Sequence, residues 1–411
     1  MSLASLPPEL RLRIADFVRD SCYGDVGDLR WRGLKLALVS KDWRLPGTLL
    51  AWDTVVLSPQ VERVLEHMKS YPESARLVRS LYFYQDLDTE YNPVTFKRLA
   101  RAVLPKLLGL GTLELHLEDT KILQLFSKLL IKGGYPRLRK LTLTAVPDEE
   151  EEGSTRATRP IFLEALPALK TLRNLRLNFA INFDNHSCQP SSSPVLPDLK
   201  TLHVFLSAPE YDEPAPEDYD PEPILAQLFS LIEPSSLVSL SISTPHLGPS
   251  ILSLTSPFTA LASLVLHFEP SDLRTSLDLL PSLISRLPRL EKLEVLATHT
   301  PAILEAVAPS VPQFKHFLHS LPLSLVFVRV HFDLSDHPAT TVERFLATRL
   351  EAPLSYFAYY DRTHEADYLD RPVRSHEFVL LEWDKTKSRN DELIWQADST
   401  RFILHDSIRY R

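Results

Sequence analysis

The chain has 411 residues, 44% of them hydrophobic, enough apolar material for a large core or a continuous repeat core, which sets disorder aside. Its 45 lysines and arginines stand against 53 acidic residues, a formal net charge of -8 with no basic block of the kind that tracks phosphate backbones, so nucleic acid is not an expected partner. At the start of the chain, Pro7 or Pro8 suits a first helical turn, where a missing N–H costs nothing, and Leu10, Ile14, Phe17 and Val18 then form one apolar face. Residues 23–32, with Gly24 and Gly27, read as a loop. A second helical stretch follows through Leu34, Leu38, Val39, Ser40 and Trp43.

Beyond residue 50 the pattern L-x-x-L-x-L recurs. Clear copies are Leu138, Leu141, Leu143; Leu172, Leu175, Leu177; Leu199, Leu202, Val204; Leu237, Leu240, Ile242; Leu261, Leu264, Leu266; and Leu290, Leu293, Val295. Looser copies lie upstream at Trp52, Val55, Leu57; Val78, Leu81, Phe83; and Leu110, Leu113, Leu115, and downstream at Leu325, Val328, Val330 and Leu354, Phe357, Tyr359. The last two apolar positions of each copy are two apart and share one face of a short strand, while the residues between them face the other way. Segments with apolar residues at helical spacing separate the strands: 61–71, 94–108, 122–131, 224–232, 273–287 and 302–318. Strand and helix thus alternate at roughly 24 to 38 residues per unit, the expectation for parallel strands on one surface and helices on the other.

In this register the outward strand positions make a polar face with aromatic points and early basic residues, a plausible rail for a protein target. Its candidate binding residues are Tyr82, Tyr84, Lys140, Asn174, Arg176, His203, Phe205, His267 and Lys292. Thr142, Thr144 and Ser243 are also read as outward. Three stretches interrupt the series as loops: 147–160 with its acidic run, 185–197 rich in Ser and Pro, and 207–223, where seven acidic residues meet no Lys or Arg. The final segment, 361–411, reads as a further repeat or a cap.

Two distant cysteines, Cys22 and Cys188, supply neither a disulfide framework nor a thiolate cluster. That fits a reducing compartment. With no leader and no bilayer-length apolar stretch, no membrane association is expected, and cytoplasm or nucleus is the expected location. Only 10 glycines accompany 33 prolines, and the phosphate-cradle, zincin and nucleophile-elbow motifs are all missing, so a non-catalytic protein without cofactor or metal is expected. His316 and His319 share a helix face but have no acidic neighbour there, and His364, Glu365 and Asp367 lack the spacing of an oxygen-ligand loop.

The repeated L-x-x-L-x-L resembles the leucine-rich-repeat family over about three quarters of the chain. One departure is that the Asn or Cys the family often places three residues after the last leucine is replaced by Val146, Ala180, Ser207, Pro245, Glu269 and Thr298. Other groups must then satisfy the turn backbone. The opening L-P-P-E-L with Ile14 after it, and the later L-V-S-K-D-W, resemble an F-box. That is the helical module by which substrate receptors attach to the Skp adaptor of cullin-RING ubiquitin ligases.

That resemblance implies that Leu6 and Pro7 insert into the adaptor, that Glu9, Leu10 and Ile14 shape the first helix, and that Val39, Ser40 and Trp43 complete the packing. The expected architecture is α/β: an all-α adaptor-binding module over residues 1–50, then a leucine-rich-repeat solenoid over 51–360 with a curved parallel sheet and helices on its convex side. The expected function is a substrate receptor of an SCF-type ligase with an unidentified protein target. A leucine-rich-repeat scaffold or inhibitor without a ligase link is the alternative.

Overall fold

The computed structural model describes residues 6–11, 13–14, 35, 38, 40–57, 61–84, 93–117, 120–133, 135–145, 165–180, 194–207, 222–244, 255, 257–268, 278–297, 309–333, 341–342, 345–346, 353–361, 379–384 and 395–398. The chain divides into two units, Met1–Ser187 with Ser193–Leu199, and Cys188–Ser192 with Lys200–Arg411.

In the first unit, helix α1 (Lys41–Asp53) leads into strand β1 (Thr54–Leu57), and α2 (Val61–Ser70) and α3 (Pro72–Leu77) lead into β2 (Ser80–Tyr84). Helix α4 (Pro93–Val103) precedes β3 (Thr112–Leu117), α5 (Thr120–Gly133) precedes β4 (Lys140–Ala145), and β5 (Asn174–Ala180) completes the series. The strands pair in chain order and all run parallel. Parallel neighbours need a crossover, and the helices supply it. The register stacks Leu81, Leu113, Leu141 and Leu175 in one row and Phe83, Leu115, Leu143 and Leu177 in the next, each at most 2% exposed. Fully burying one such side chain stabilises by roughly 1.5–3 kcal/mol, so the rows hold the strands together. Phe83 continues the contact into the helical layer, stacking on Phe96 of α4 at 5.0 Å and tilting against Phe126 of α5 at 5.6 Å.

The second unit repeats the plan with β6 (Thr201–Ser207), α6 (Glu222–Ser230), β7 (Ser239–Ser243), β8 (Ser263–Phe268), α7 (Leu280–Ile284), β9 (Lys292–Ala297), α8 (Val311–Ser320), β10 (Phe327–Asp333) and β11 (Tyr356–Asp361). These six strands are parallel, and Leu202, Leu240, Leu264, Leu293, Val328 and Phe357 form their buried row. Two more strands, β12 (Val379–Asp384) and β13 (Trp395–Asp398), join antiparallel and do not continue the repeat. Each unit is an α/β leucine-rich-repeat array.

Hydroxyls take over the missing Asn role at two described turns. Thr171, just before the first leucine of its copy, donates to the Leu138 carbonyl at 2.9 Å, and Ser324 occupies the same place and donates to the Leu290 carbonyl at 2.7 Å. The side chain of Tyr135 likewise donates to the Leu104 carbonyl at 3.0 Å, and its burial pushes that phenol well above the usual range. Backbone groups outside the regular strands are satisfied by continuing the ladder one residue early, with the Gly111, Arg139 and Arg173 amides donating to the carbonyls of Arg79, Gly111 and Arg139.

Several boundaries differ from the periodic expectation. Ala51, Trp52 and Asp53 belong to α1, not to the first strand, because Trp52 stacks on His67 of α2 at 4.9 Å and extended backbone starts only at β-branched Thr54. Helix α4 ends at Val103 and tightens into a 3-10 turn over Leu104–Lys106, since Pro105 cannot continue the helical ladder. In 302–318 the described helix starts at Val311, where Ser310 and Gln313 form a reciprocal capping box. The helix within 273–287 spans only Leu280–Ile284 among the described residues. Of the expected loops, Leu196 is buried and Glu222 and Pro223 already open α6, while the rest of 147–160, 185–193 and 208–221 lies outside the described residues.

Candidate protein-recognition surface

Strand alternation fixes which side chains stand opposite the leucine rows, and the parallel register fixes their neighbours. In the first unit Tyr82, Glu114, Thr142 and Arg176 share one row, and Tyr84, His116, Thr144 and Asn178 share the next. Lys140 and Asn174 continue the row of Ser80 and Thr112, and Lys140, Asn174 and Arg176 are exposed. Thr142 and Thr144 face the same way but are only 5% and 7% exposed. Their short side chains sit between longer ones, Glu114 and Arg176 in one row and His116 and Asn178 in the other. Ser243, 5% exposed between Phe205 and His267, repeats this in the second unit.

The densest polar cluster is centred on Glu114. Its Oε1 accepts a hydrogen bond from His116 Nε2 at 3.1 Å and one from the Tyr84 hydroxyl at 3.3 Å, while the His116 ring stacks on Tyr84 at 4.6 Å. The ring of Tyr82 lies parallel to that of Tyr84 at 6.5 Å. The hydrogen bond from His116 is the main cause holding the Glu114 carboxyl below its ordinary value; burial opposes it, and the charges of His116 and Lys140 and the Tyr84 bond add to it. Burial, and then the Glu114 charge, push the Tyr82 phenol up. The result is a half-buried plate of two tyrosines and a histidine around one locked carboxylate, flanked by exposed cations. Flat aromatic area beside charge suits a protein partner.

A folded pKa below the unfolded one means that Glu114 adds stability above the ordinary carboxylate range, which is lost as pH falls through the folded value. Urea unfolding of wild type and Glu114→Gln is therefore expected to show a gap near neutral pH that closes in acid. A gap independent of pH would disprove the locked carboxylate.

In the second unit His203 and Phe205 are exposed, Phe205 by 39%, and His267 is half-buried. Lys292 pairs with Glu294 and places its Nζ 5.3 Å from the centre of the Phe327 ring, and Phe327 stacks on Tyr356 at 4.4 Å with planes 4° apart. A cation and two rings thus form a strip across β9, β10 and β11. The sequence reading named Lys292 but neither Phe327 nor Tyr356, and it omitted Glu114 and His116. All four occupy alternate positions of the looser leucine copies, the signal that could have found them.

At the N-terminus, the Pro7 carbonyl accepts from the amides of Leu10 and Arg11, both at 3.1 Å, which starts a helical turn at the prolines. Arg11 Nη1 lies 3.6 Å from Asp42 Oδ1 and ties that turn to α1. Pro7, Glu9 and Leu10 are exposed, Leu10 by 44%, whereas Leu6, Ile14 and Ser40 are half-buried. Trp43 is 1% exposed and offers no surface to a partner. Val39 lies outside the described residues.

Among the described residues, no group of three or more His, Cys, Asp or Glu side chains could hold a metal, and no helix is long and apolar enough to cross a membrane. His316 and His319 are exposed on α8. No family profile matches the chain. No curated protein matches it. Among solved structures, the crystal structure of a TLR13–ssRNA13 complex matches with 14% identity and a TM-score of 0.30, covering 68% of this chain and 43% of that one. The present chain thus spans less than half the length of that protein. The repeat architecture rests on the leucine rows and the parallel register themselves.

Proposed function

We propose that this chain is the substrate-recognition subunit of an SCF-type ubiquitin ligase. Its N-terminal module holds a Skp-type adaptor, its strand faces hold a protein target, and catalysis belongs to other subunits. The observation that carries this reading is the L-P-P-E-L turn: Pro7, Glu9 and Leu10 face solvent while Arg11 reaches Asp42 of the helix that runs directly into the first strand. An exposed apolar tip on a small helical module is uncomfortable in water and suits a docking partner. The mechanism is proximity: one chain binding both adaptor and target raises the effective concentration of target lysines near a charged ubiquitin carrier.

The test is co-purification of the adaptor with wild type and with the double variant Leu6→Ala, Pro7→Ala. Truncating two anchors of a small interface is expected to cost about 2 kcal/mol or more, a loss of roughly thirtyfold in affinity. Equal recovery removes the ligase reading and leaves a leucine-rich-repeat scaffold, which the strand faces alone also support.

A further inference from the structure

The helical side of the first unit carries a feature that neither the fold nor the strand face uses. Helices α4 and α5 pack as neighbours and leave an open groove between them, floored by Leu125 and Leu129. Lys97 and Arg101 line one bank and Lys128 and Lys132 the other. Each pair has i, i+4 spacing, so four cations face one another in two rows along roughly 6 Å of groove. Arg101, Lys128 and Lys132 are exposed and Lys97 half-buried.

No carboxylate among the described residues pairs with any of the four. Glu114, the one acid among the described residues of 93–133, is engaged by Tyr84 and His116 on the strand face. Like charges at helical spacing destabilise by a few tenths of a kcal/mol per pair, so this arrangement does nothing for the fold. It also opposes the sign of a chain whose net charge is -8.

We propose that this groove docks an acidic amphipathic helix of a partner protein. The occupant must present three columns at once: carboxylates to the α4 bank, apolar side chains to Leu125 and Leu129, and carboxylates to the α5 bank. An extended peptide alternates its side chains between two faces and cannot do this. A helix can, with an apolar seam at positions a and d and acids at e and g, as a third strand of a coiled coil settles on two others. A flat membrane surface would meet the exposed heads of the cations but leave the leucine floor uncovered. This inference does not depend on the adaptor reading.

The experiment uses the full chain without adaptor, so its failure and that of the ligase reading are distinguishable. The probe is a fluorescein-labelled peptide of three heptads with Leu at a and d and Glu at e and g, read by anisotropy. A second peptide has Lys in place of every Glu. The acidic peptide is expected to bind with steep salt dependence and the basic one not at all. Lys128→Glu with Lys132→Glu should weaken binding roughly tenfold or more, as should Lys97→Glu with Arg101→Glu. Circular dichroism on each variant shows that these exposed changes leave the fold intact.

Reversing Arg286 and Arg289, exposed in the second unit, should change nothing. Undiminished binding by both groove variants overturns the proposal. So does binding of phosphatidylserine vesicles or single-stranded DNA in place of the peptide. Binding that appears only after the acidic run Asp148–Glu152 is neutralised would make the occupant this chain itself, and overturns it too.

Discussion

Phe83→Ala is expected to lower the stability of the first unit by about 3–5 kcal/mol, the range for truncating a large aromatic in a closed core. The position explains the size of the effect. Phe83 is 2% exposed, belongs to the second apolar row of the sheet, and touches an aromatic ring on each of two helices, Phe96 at 5.0 Å and Phe126 at 5.6 Å. Removing it deletes the buried area of one ring and leaves Phe96 and Phe126 without a shared face. The parallel neighbours Leu57 and Leu115 are held by backbone pairing and cannot collapse into the gap. Repeats stabilise mainly through adjacent units, so the damage should concentrate between β1 and β4. Urea unfolding followed by hydrogen exchange measures both the loss and its location. A loss below about 1 kcal/mol would mean that the helices do not depend on this contact.

The second large effect separates packing from docking at the N-terminus. Trp43→Ala is expected to cost a similar amount, about 3–5 kcal/mol, because the indole is 1% exposed and lies in the helix that feeds the first strand. By contrast, Leu6→Ala with Pro7→Ala should leave stability within about 1 kcal/mol, since Pro7 is exposed and Leu6 only half-buried. Thermal unfolding of both variants, each beside its adaptor co-purification, distinguishes the two roles. If Trp43→Ala kept full stability and lost only adaptor binding, the assignment of Trp43 to the core would fail.

Much of this fold was readable in advance, for a physical reason. A period of two in a strand sorts side chains into two faces whatever the neighbours are, so Leu141 and Leu143 could be assigned inward and Lys140 outward from spacing alone. Ends of elements were less legible. Pro105 and the Ser310–Gln313 box are local signals that the apolar period overrode, and Trp52 was drawn into a helix by a ring on another helix. The candidate surface was legible only as a face. Tyr84 and Glu114 are 30 residues apart, and nothing in either neighbourhood says that a hydroxyl of one strand will meet a carboxylate of the next.

Thr142 shows the same boundary from the other side. Its outward direction follows from alternation, but its burial follows from Glu114 and Arg176 standing on either side in register. The groove between α4 and α5 was equally hidden, because each helix taken alone is an ordinary amphipathic segment with lysines on its wet face.

The amino-acid sequence by itself determined the repeat, the inward leucines and the alternation of strand with helix, since these depend on spacing within a few residues. Only the tertiary structure decided that Glu114 is held by Tyr84 and His116, that Trp43 is interior while Leu10 is not, and that two lysine-bearing banks face each other. Those outcomes depend on which strand lies beside which and in what register, a choice made by burying whole rows of side chains together.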